Sequence, residues 1–307
     1  MICAFIKRAS LLAATAAIAV GMGTGDADAK KVRGKIHQAY GQNIAVIGPP
    51  GHRIADAVRR MSGGDFDIKV FEPDAFAGGF AYYDGVSQGA IDAAFGTPGA
   101  NQGKNSAYSF LSSFPFGPSA PEFLAWFKYG VGNEIARELY ARDNIHFILC
   151  GMIPPETSGW FREEIKSLDQ LKGLKMRFFG VGAKVMQKFG VSTQQIAGGD
   201  IYPALELDTI DATEFSMPAI DRSYGFYQIA KYNYFPGWHQ QPTATDLTVN
   251  MDKWNELPEE YKAMLEIACN ANIAEEIAAN PDVAKLWESY STFHEGYKVW
   301  GERGYLK

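Results

Sequence analysis

Three charged residues stand where apolar, strand-like runs end. Glu156 follows IHFILCGMIPP, Arg177 lies within LKMRFF, and Glu214 closes TIDAT just before Phe215. A guanidinium is planar, permanently charged and presents a fork of donors, so Arg177 is suited to bidentate capture of a carboxylate. Its plainer role would be an ion pair with Glu156 or Glu214. A carboxylate one residue past an apolar strand is costly unless a cation or hydrogen-bond donors meet it. Glu214 is therefore a candidate for ligand or metal contact, with capping of a following helix as the alternative. Asn101, in GTPGANQG after the apolar IDAAF, belongs to the same class of strand-end position. Glu156 and Glu214 together could also serve as a general acid–base pair.

Other chemistries lack their residues. The five histidines, His37, His52, His146, His239 and His294, show no metal-ligand spacing, and no Gly-x-Ser-x-Gly elbow occurs. GPPGHR at 48–53 lacks the Gly-Lys-Ser/Thr end of a phosphate loop and reads as a turn. No fingerprint of an organic cofactor is present. The 29 basic residues are scattered among 35 acidic ones, so there is no basic stripe to neutralise phosphates, and nucleic acid is not an expected partner.

The elements that must position these residues read as an α/β chain. IAVIG (44–48) precedes the helical pattern HRIADAVRRMSGG, then come DIKVFEP, AYYDGVSQG and AIDAAFG. Strands alternating with helices argue for a mostly parallel sheet. The pattern restarts after Cys150: SLDQLKG is a short helix with Ser167 as N-cap, LKMRFF the next strand, GGDIYPALELDT a helix with Asp200 near its N-cap, and IDATEF a strand. In LKMRFF the alternation puts Leu174, Met176 and Phe178 on one face and Arg177 on the other. Ile-Asp-Ala opens a strand in both halves, which argues for two similar lobes. Open α/β sheets bind ligands beyond the carboxyl ends of their strands, where all the candidates above fall.

The ends and the cysteines complete the outline. Residues 1–29 carry Lys7 and Arg8, an apolar run and Ala27-Asp28-Ala29, the pattern of a cleaved secretory signal and so of a periplasmic protein. Cys150 and Cys269 each lie in a core-like pattern and are expected to be free buried thiols. From Asn255 onward the chain is helical, and Trp287, Tyr290, Phe293, Tyr297 and Trp300 form a stripe at helical spacing. That stripe is a packing face, with a homodimer contact as the second reading.

With these residues in hand, the sequence resembles the periplasmic solute-binding subunits of tripartite ATP-independent (TRAP) transporters. MSGGDFDIKVFEPDAFAGG and LKGLKMRFFG carry the likeness, and QQIAGGDIYPALELDTIDATEF followed by YFPGW is close to the branch that binds 2-oxo acids or lactate. The resemblance implies a two-lobed periplasmic binding protein fold with a long helix running across both lobes. Lobe I would span 30–152, completed by part of 241–280, lobe II 153–240, and the helices of 255–307 would pack across both. It also implies Arg177 on the substrate carboxylate, and a metal ion held by Glu156, Glu214 and the Phe215 backbone, with Gln240 and Gln241 as candidates to join. Phe179 and Asn101 complete the expected substrate contacts.

Three departures from the family pattern stand out. Glu156 replaces a usual glutamine, Phe215 a tryptophan, and Gly99-Ala100-Asn101 an aromatic pair. The last suggests a roomier or more polar pocket. With two ionised glutamates a divalent ion balances the charge, and oxygen ligands suit calcium, with sodium as the monovalent alternative. The opposing reading is that no metal binds and the glutamates hold a cationic amine. The expected function is capture of a small 2-oxo or 2-hydroxy monocarboxylate for delivery to TRAP permease subunits. A sensor role would use the same pocket.

Overall fold

The computed structural model describes residues 31–73, 75–76 and 80–278. Among the described residues, ten strands form two sheets of five. The first sheet has the order β2-β1-β3-β10-β4 and comprises β1 (Val32–Gln38), β2 (Phe66–Phe71), β3 (Ala93–Gly96), β4 (Ile145–Ile153) and β10 (Thr243–Asn250). The second has the order β7-β6-β8-β5-β9 and comprises β5 (Gly159–Phe161), β6 (Lys175–Arg177), β7 (Ser192–Gln194), β8 (Ala212–Thr213) and β9 (Tyr232–Tyr234). These are lobes I and II. The chain leaves lobe I after β4, builds lobe II, and returns at β10.

Helices cover both sheets. Lobe I carries α1 (Pro50–Met61), α2 (Tyr82–Ser87), α3 (Ala107–Ser112), α4 (Ala120–Tyr129) and α5 (Gly132–Ala141). Lobe II carries α6 (Gly180–Lys188), α7 (Gly198–Glu206) and α8 (Pro218–Tyr224), and α9 (Met251–Glu256) and α10 (Glu259–Ala278) follow the return. Helix α1 shows how the sequence builds such an element. Pro50 sits in the first turn where no N–H is needed, Ile54 and Val58 turn one face inward, and Arg59 and Arg60 meet the negative end of the helix dipole. Every residue of β4 and β10 is buried, as expected for strands covered on both faces.

The sheets are mixed rather than mostly parallel, and for one reason in both lobes. Local strand-helix-strand units make the parallel pairs β1–β2, β1–β3, β6–β7 and β6–β8. The two chain crossings make the antiparallel ones: β10 against β3 and β4 in lobe I, β5 against β8 and β9 in lobe II. Other expectations also change. Residues 44–48 form turns, and the first strand is the less apolar VRGKIHQ instead. Helix α7 is capped by Ala197, so Asp200 lies inside its first turn.

Cys150 and Cys269 are joined in a disulfide across 119 residues, not free. Strand β4 turns Cys150 toward α10, and α10 turns Cys269 back. Each thiol is buried as its local pattern implies, but their meeting depends on helix-on-sheet packing that no local pattern encodes. Helix α10 packs mainly on α1 and β4, both in lobe I, and residues 279–307 of the segment expected to cross both lobes lie outside the described residues. The expected N-terminal signal and the expected aromatic stripe of residues 287–300 lie outside the described residues, among which no helix is long and apolar enough to cross a membrane.

Candidate ligand and cation site

Arg177 ends β6 and is 1% exposed, facing away from Met176 and Phe178, which pack into the lobe II core. Its Nε donates to the Ile196 carbonyl at 3.0 Å, and its Nη1 donates to the Glu214 carbonyl at 2.7 Å and to Glu214 Oε1 at 3.0 Å. The guanidinium carbon lies 5.6 Å from the ring centre of Phe179 and 5.0 Å from that of Phe215. The ion pair with Glu214, the plainer sequence reading, is therefore present.

Glu214 follows β8 and is fully buried. The Phe179 backbone amide donates to Oε1, the oxygen that also meets Arg177. Burial pushes the Glu214 carboxyl up, but Arg177 first, then His239 and the Phe179 amide, outweigh it and hold the group below its ordinary range. Beneath this segment Asp221 of α8 accepts from Trp160 Nε1 at 2.7 Å, from the Ser216 amide at 2.9 Å and from Thr157 Oγ1 at 3.3 Å. Asp221 thus ties the chain after Glu214 to the chain after Glu156.

Glu156 lies on the first crossing between lobes. Its amide donates to the Gln240 carbonyl at 3.2 Å, and its carbonyl accepts from the Gly237 amide at 2.6 Å, so the outgoing and returning crossings are laced together. A side chain at Gly237 would sit 2.8 Å from the Glu156 carbonyl oxygen, which explains the glycine there. Thr243 Oγ1 donates to Glu156 Oε1 at 2.8 Å. Burial, then the Glu214 charge, pushes the Glu156 carboxyl well above its ordinary range, against the Thr243 hydrogen bond.

Glu156 Oε2, Glu214 Oε2 and both ring nitrogens of His239 are buried without a hydrogen-bond partner. His239 Nε2 stands 3.6 Å from Glu214 Oε2 and 4.0 Å from Glu156 Oε2. One ligand-type atom from each of the three residues lies within 4.8 Å of the others. Buried orphan acceptors are expensive. Two of them beside an imidazole nitrogen form a donor set that fits a cation. His239 is the residue that sequence reasoning missed, because its partners lie 25 and 83 positions away and no local spacing announces them. The one available signal was its place directly before Gln240 in the segment after YFPGW.

A small cavity of about 30 Å³ opens beside this cluster. Tyr40, Ile47, Phe80 and Thr97 line it from lobe I, and Glu156, Arg177, Phe179, Phe215, Ser216 and Gln240 are among its other walls. The sequence expectation at Gly99-Ala100-Asn101 is a roomier or more polar pocket; beside Gly99 the space is filled. Phe179 takes the vacated space: its ring carbons lie 2.7 and 2.8 Å from where a Gly99 Cβ would be. Gln240 donates to Thr243 Oγ1 at 2.9 Å, and its Oε1 is a further buried oxygen without a partner. Gln241 is half-buried and donates to the Gly237 carbonyl at 3.3 Å. Asn101 is buried, but it does not line the cavity.

The lobes meet around the site. Gln102 Nε2 donates to Gln195 Oε1 at 2.5 Å, the Ala45 amide donates to Ser223 Oγ at 3.3 Å, and Phe80 packs 6.2 Å from Phe179.

Residues 51–290 match the DctP family, described as bacterial extracellular solute-binding protein, family 7. The chain belongs to that family. It is a family of solute-binding proteins rather than enzymes. The monocarboxylate 2-oxoacid-binding periplasmic protein of Nostoc sp. is 36% identical over 215 residues, which cover 70% of this chain and 59% of that protein, so the match spans about three-fifths of the relative's length. A TRAP transporter solute-binding protein of Bordetella bronchiseptica RB50, with copurified calcium and picolinate, superposes with a TM-score of 0.79 at 33% identity, covering 89% of this chain and 86% of that one. A TRAP solute-binding protein of Pseudoalteromonas atlantica T6c, with bound sodium and pyruvate, gives 0.76 at 28% identity, covering 90% and 99%. The shared architecture is the two-lobed α/β fold described above.

Proposed function

We propose that this chain is the extracytoplasmic receptor of a TRAP transporter, capturing a small 2-oxo or 2-hydroxy monocarboxylate and delivering it to the membrane permease. The observation that carries the reading is that Arg177 and Glu156 line one interlobe cavity, with the orphan oxygens of Glu156 and Glu214 both within 4.0 Å of His239 Nε2. The hydrogen bonds of Arg177 to Ile196 and Glu214 run through Nε and Nη1, leaving Nη2 for a ligand carboxylate. Pyruvate and picolinate, bound by similar proteins, share a carboxylate next to a second donor atom. Such ligands can chelate a cation while their carboxylate meets an arginine.

The protein residues fit a metal-assisted grip. Glu156 and Glu214 would hold the ion, the Phe215 carbonyl and Gln240 Oε1 would supply further oxygens, and calcium is one divalent ion that two carboxylates balance. When bound, the ion would neutralise the two carboxylates and offer its open positions to the ligand. Tyr40, Phe80 and Thr97 close the cavity from lobe I, so a ligand held by lobe II shifts the lobes toward closure by the contacts it adds. The small cavity favours a ligand of few heavy atoms.

Thermal unfolding with pyruvate, lactate, picolinate and a small amine, each with calcium and with chelator, tests the reading. A true ligand at about a hundred times its dissociation constant adds roughly 2.7 kcal/mol. An acid-dependent gain that needs the metal is the expected result. Stabilisation by the amine alone would remove Arg177 as a carboxylate clamp.

A further inference from the structure

A third buried donor stands beside the two carboxylates. We propose that His239 Nε2 is a direct ligand of the cleft cation, so that the site takes a divalent first-row transition ion, with zinc its representative, in preference to calcium. The inference rests on the reading of Glu156 and Glu214 as cation ligands.

Each carboxylate is divided in the same way. Oε1 is held in place, by Thr243 in Glu156 and by Arg177 and the Phe179 amide in Glu214, while Oε2 is buried without a partner. His239 Nε2 is 3.6 and 4.0 Å from those two free oxygens. Two atoms that each lie about 2.0–2.2 Å from a shared zinc ion can be separated by up to about 4 Å, so small adjustments close the set. Calcium takes oxygen donors, whereas an imidazole nitrogen suits zinc, cobalt and nickel.

The ring is built in rather than left over. A buried histidine is ordinarily hydrogen-bonded, yet here neither nitrogen makes a hydrogen bond, and Nε2 faces the Glu214 and Glu156 carboxylates at 3.6 and 4.0 Å. Phe178 and Trp238 lie 4.8 and 5.6 Å from its centre, and the first turn of α6 comes so close that a Cβ at Gly182 would sit 3.0 Å from the His239 Cβ. Burying both nitrogens without a bond costs stability in the free protein; a metal ion would offset it.

The test is calorimetric titration of untagged, chelator-treated protein with zinc chloride and, separately, calcium chloride, without any organic acid. Zinc is expected to bind at least about tenfold more tightly than calcium. His239→Ala should lose at least about tenfold in zinc affinity and less than about threefold in calcium affinity, because even an outer partner of a metal ligand is worth about that much. His239→Gln should weaken zinc in the same way. Thermal unfolding of the metal-free variants shows that they fold. In the cobalt-loaded wild type, a paramagnetically shifted imidazole resonance reads the same ligand without any variant. Tighter binding of calcium than zinc, or unchanged zinc affinity in a folded His239→Ala protein, overturns the proposal. If calcium binds and Glu156→Gln abolishes it while zinc ignores His239, only the imidazole assignment fails; if neither ion binds, the reading beneath it fails too.

Discussion

Glu214 and Asp246 are both buried acids, at 0% and 1% exposure, and they are kept in different ways. Glu214, in lobe II, meets a guanidinium and a backbone amide, and its carboxyl is held below the ordinary range. Asp246, on β10 in lobe I, receives a hydrogen bond from the Tyr140 phenol at 2.5 Å while its Oδ1 has no partner. Burial pushes its carboxyl up to about 7 against that hydrogen bond. Glu276 of α10 resembles Asp246: it accepts from the Met152 amide and the Asn272 side chain, and burial pushes it up to about 7. The difference teaches that burial alone does not mark a binding site. Glu214 and Asp246 each keep one carboxylate oxygen without a partner, so it is the charged partner, Arg177, that separates Glu214 from an acid that is merely enclosed.

The sharpest break of this contrast is Arg177→Ala. It would leave Glu214 buried and uncompensated, which costs about 3–5 kcal/mol, and it would remove the clamp for a ligand carboxylate. Denaturant unfolding should show the loss, and the acid-dependent stabilisation should disappear. A cost below about 1 kcal/mol, the level of a solvent-exposed ion pair, would mean that Glu214 does not depend on the guanidinium and is closer to Asp246 than argued.

Asp246→Asn tests the other side. A carboxyl whose folded pKa is raised binds more protons in the native than in the unfolded state, so its contribution is fully present below the unfolded value and is lost as pH rises through the folded one. For Asp246 that window runs from 3.8 to about 7. At 1.36 kcal/mol per pKa unit, the fall across it is roughly 4 kcal/mol. Asn should flatten the fall in unfolding free energy between about pH 4 and pH 7 by that order, since an amide does not titrate there. An unchanged pH profile would show that Asp246 stays ionised, like Glu214.

The same contrast bounds what was legible in the sequence. Arg177 opposite Met176 and Phe178 was readable, because strand alternation is local, and so was Glu214 at the end of an apolar run. The mixed sheets were not, since the antiparallel pairs come from where the chain crosses between lobes. The Cys150–Cys269 disulfide was missed because pairing across 119 residues is set by α10 docking on β4. Phe179 filling the space beside Gly99 and His239 reaching Glu156 and Glu214 share that cause. Each is a contact between segments brought together by the fold. Asn101 was the opposite error, a strand-end residue that the chain buries away from the cavity.

Glu156 lies between the two regimes, and Glu156→Gln sharpens the comparison most finely. The substitution keeps the side chain's size and an acceptor for Thr243 Oγ1, which now donates to Oε1, but it removes one of the two charges a divalent ion would balance. If Glu156 belongs with Glu214 as a cation ligand, calcium affinity should fall by at least about tenfold, near 1.4 kcal/mol. Stability in the absence of ions should change by no more than about 1 kcal/mol, because the hydrogen bond survives. Titration with calcium and thermal unfolding in chelator read the two quantities separately. If instead the ion affinity stays and only the ion-free stability moves, Glu156 is an enclosed acid of the Asp246 kind, and the site would be left with Arg177, Glu214 and His239. Because Glu156 sits on the crossing laced to Gln240 and Gly237, its binding role would also tie cation occupancy to the geometry of the two crossings between lobes.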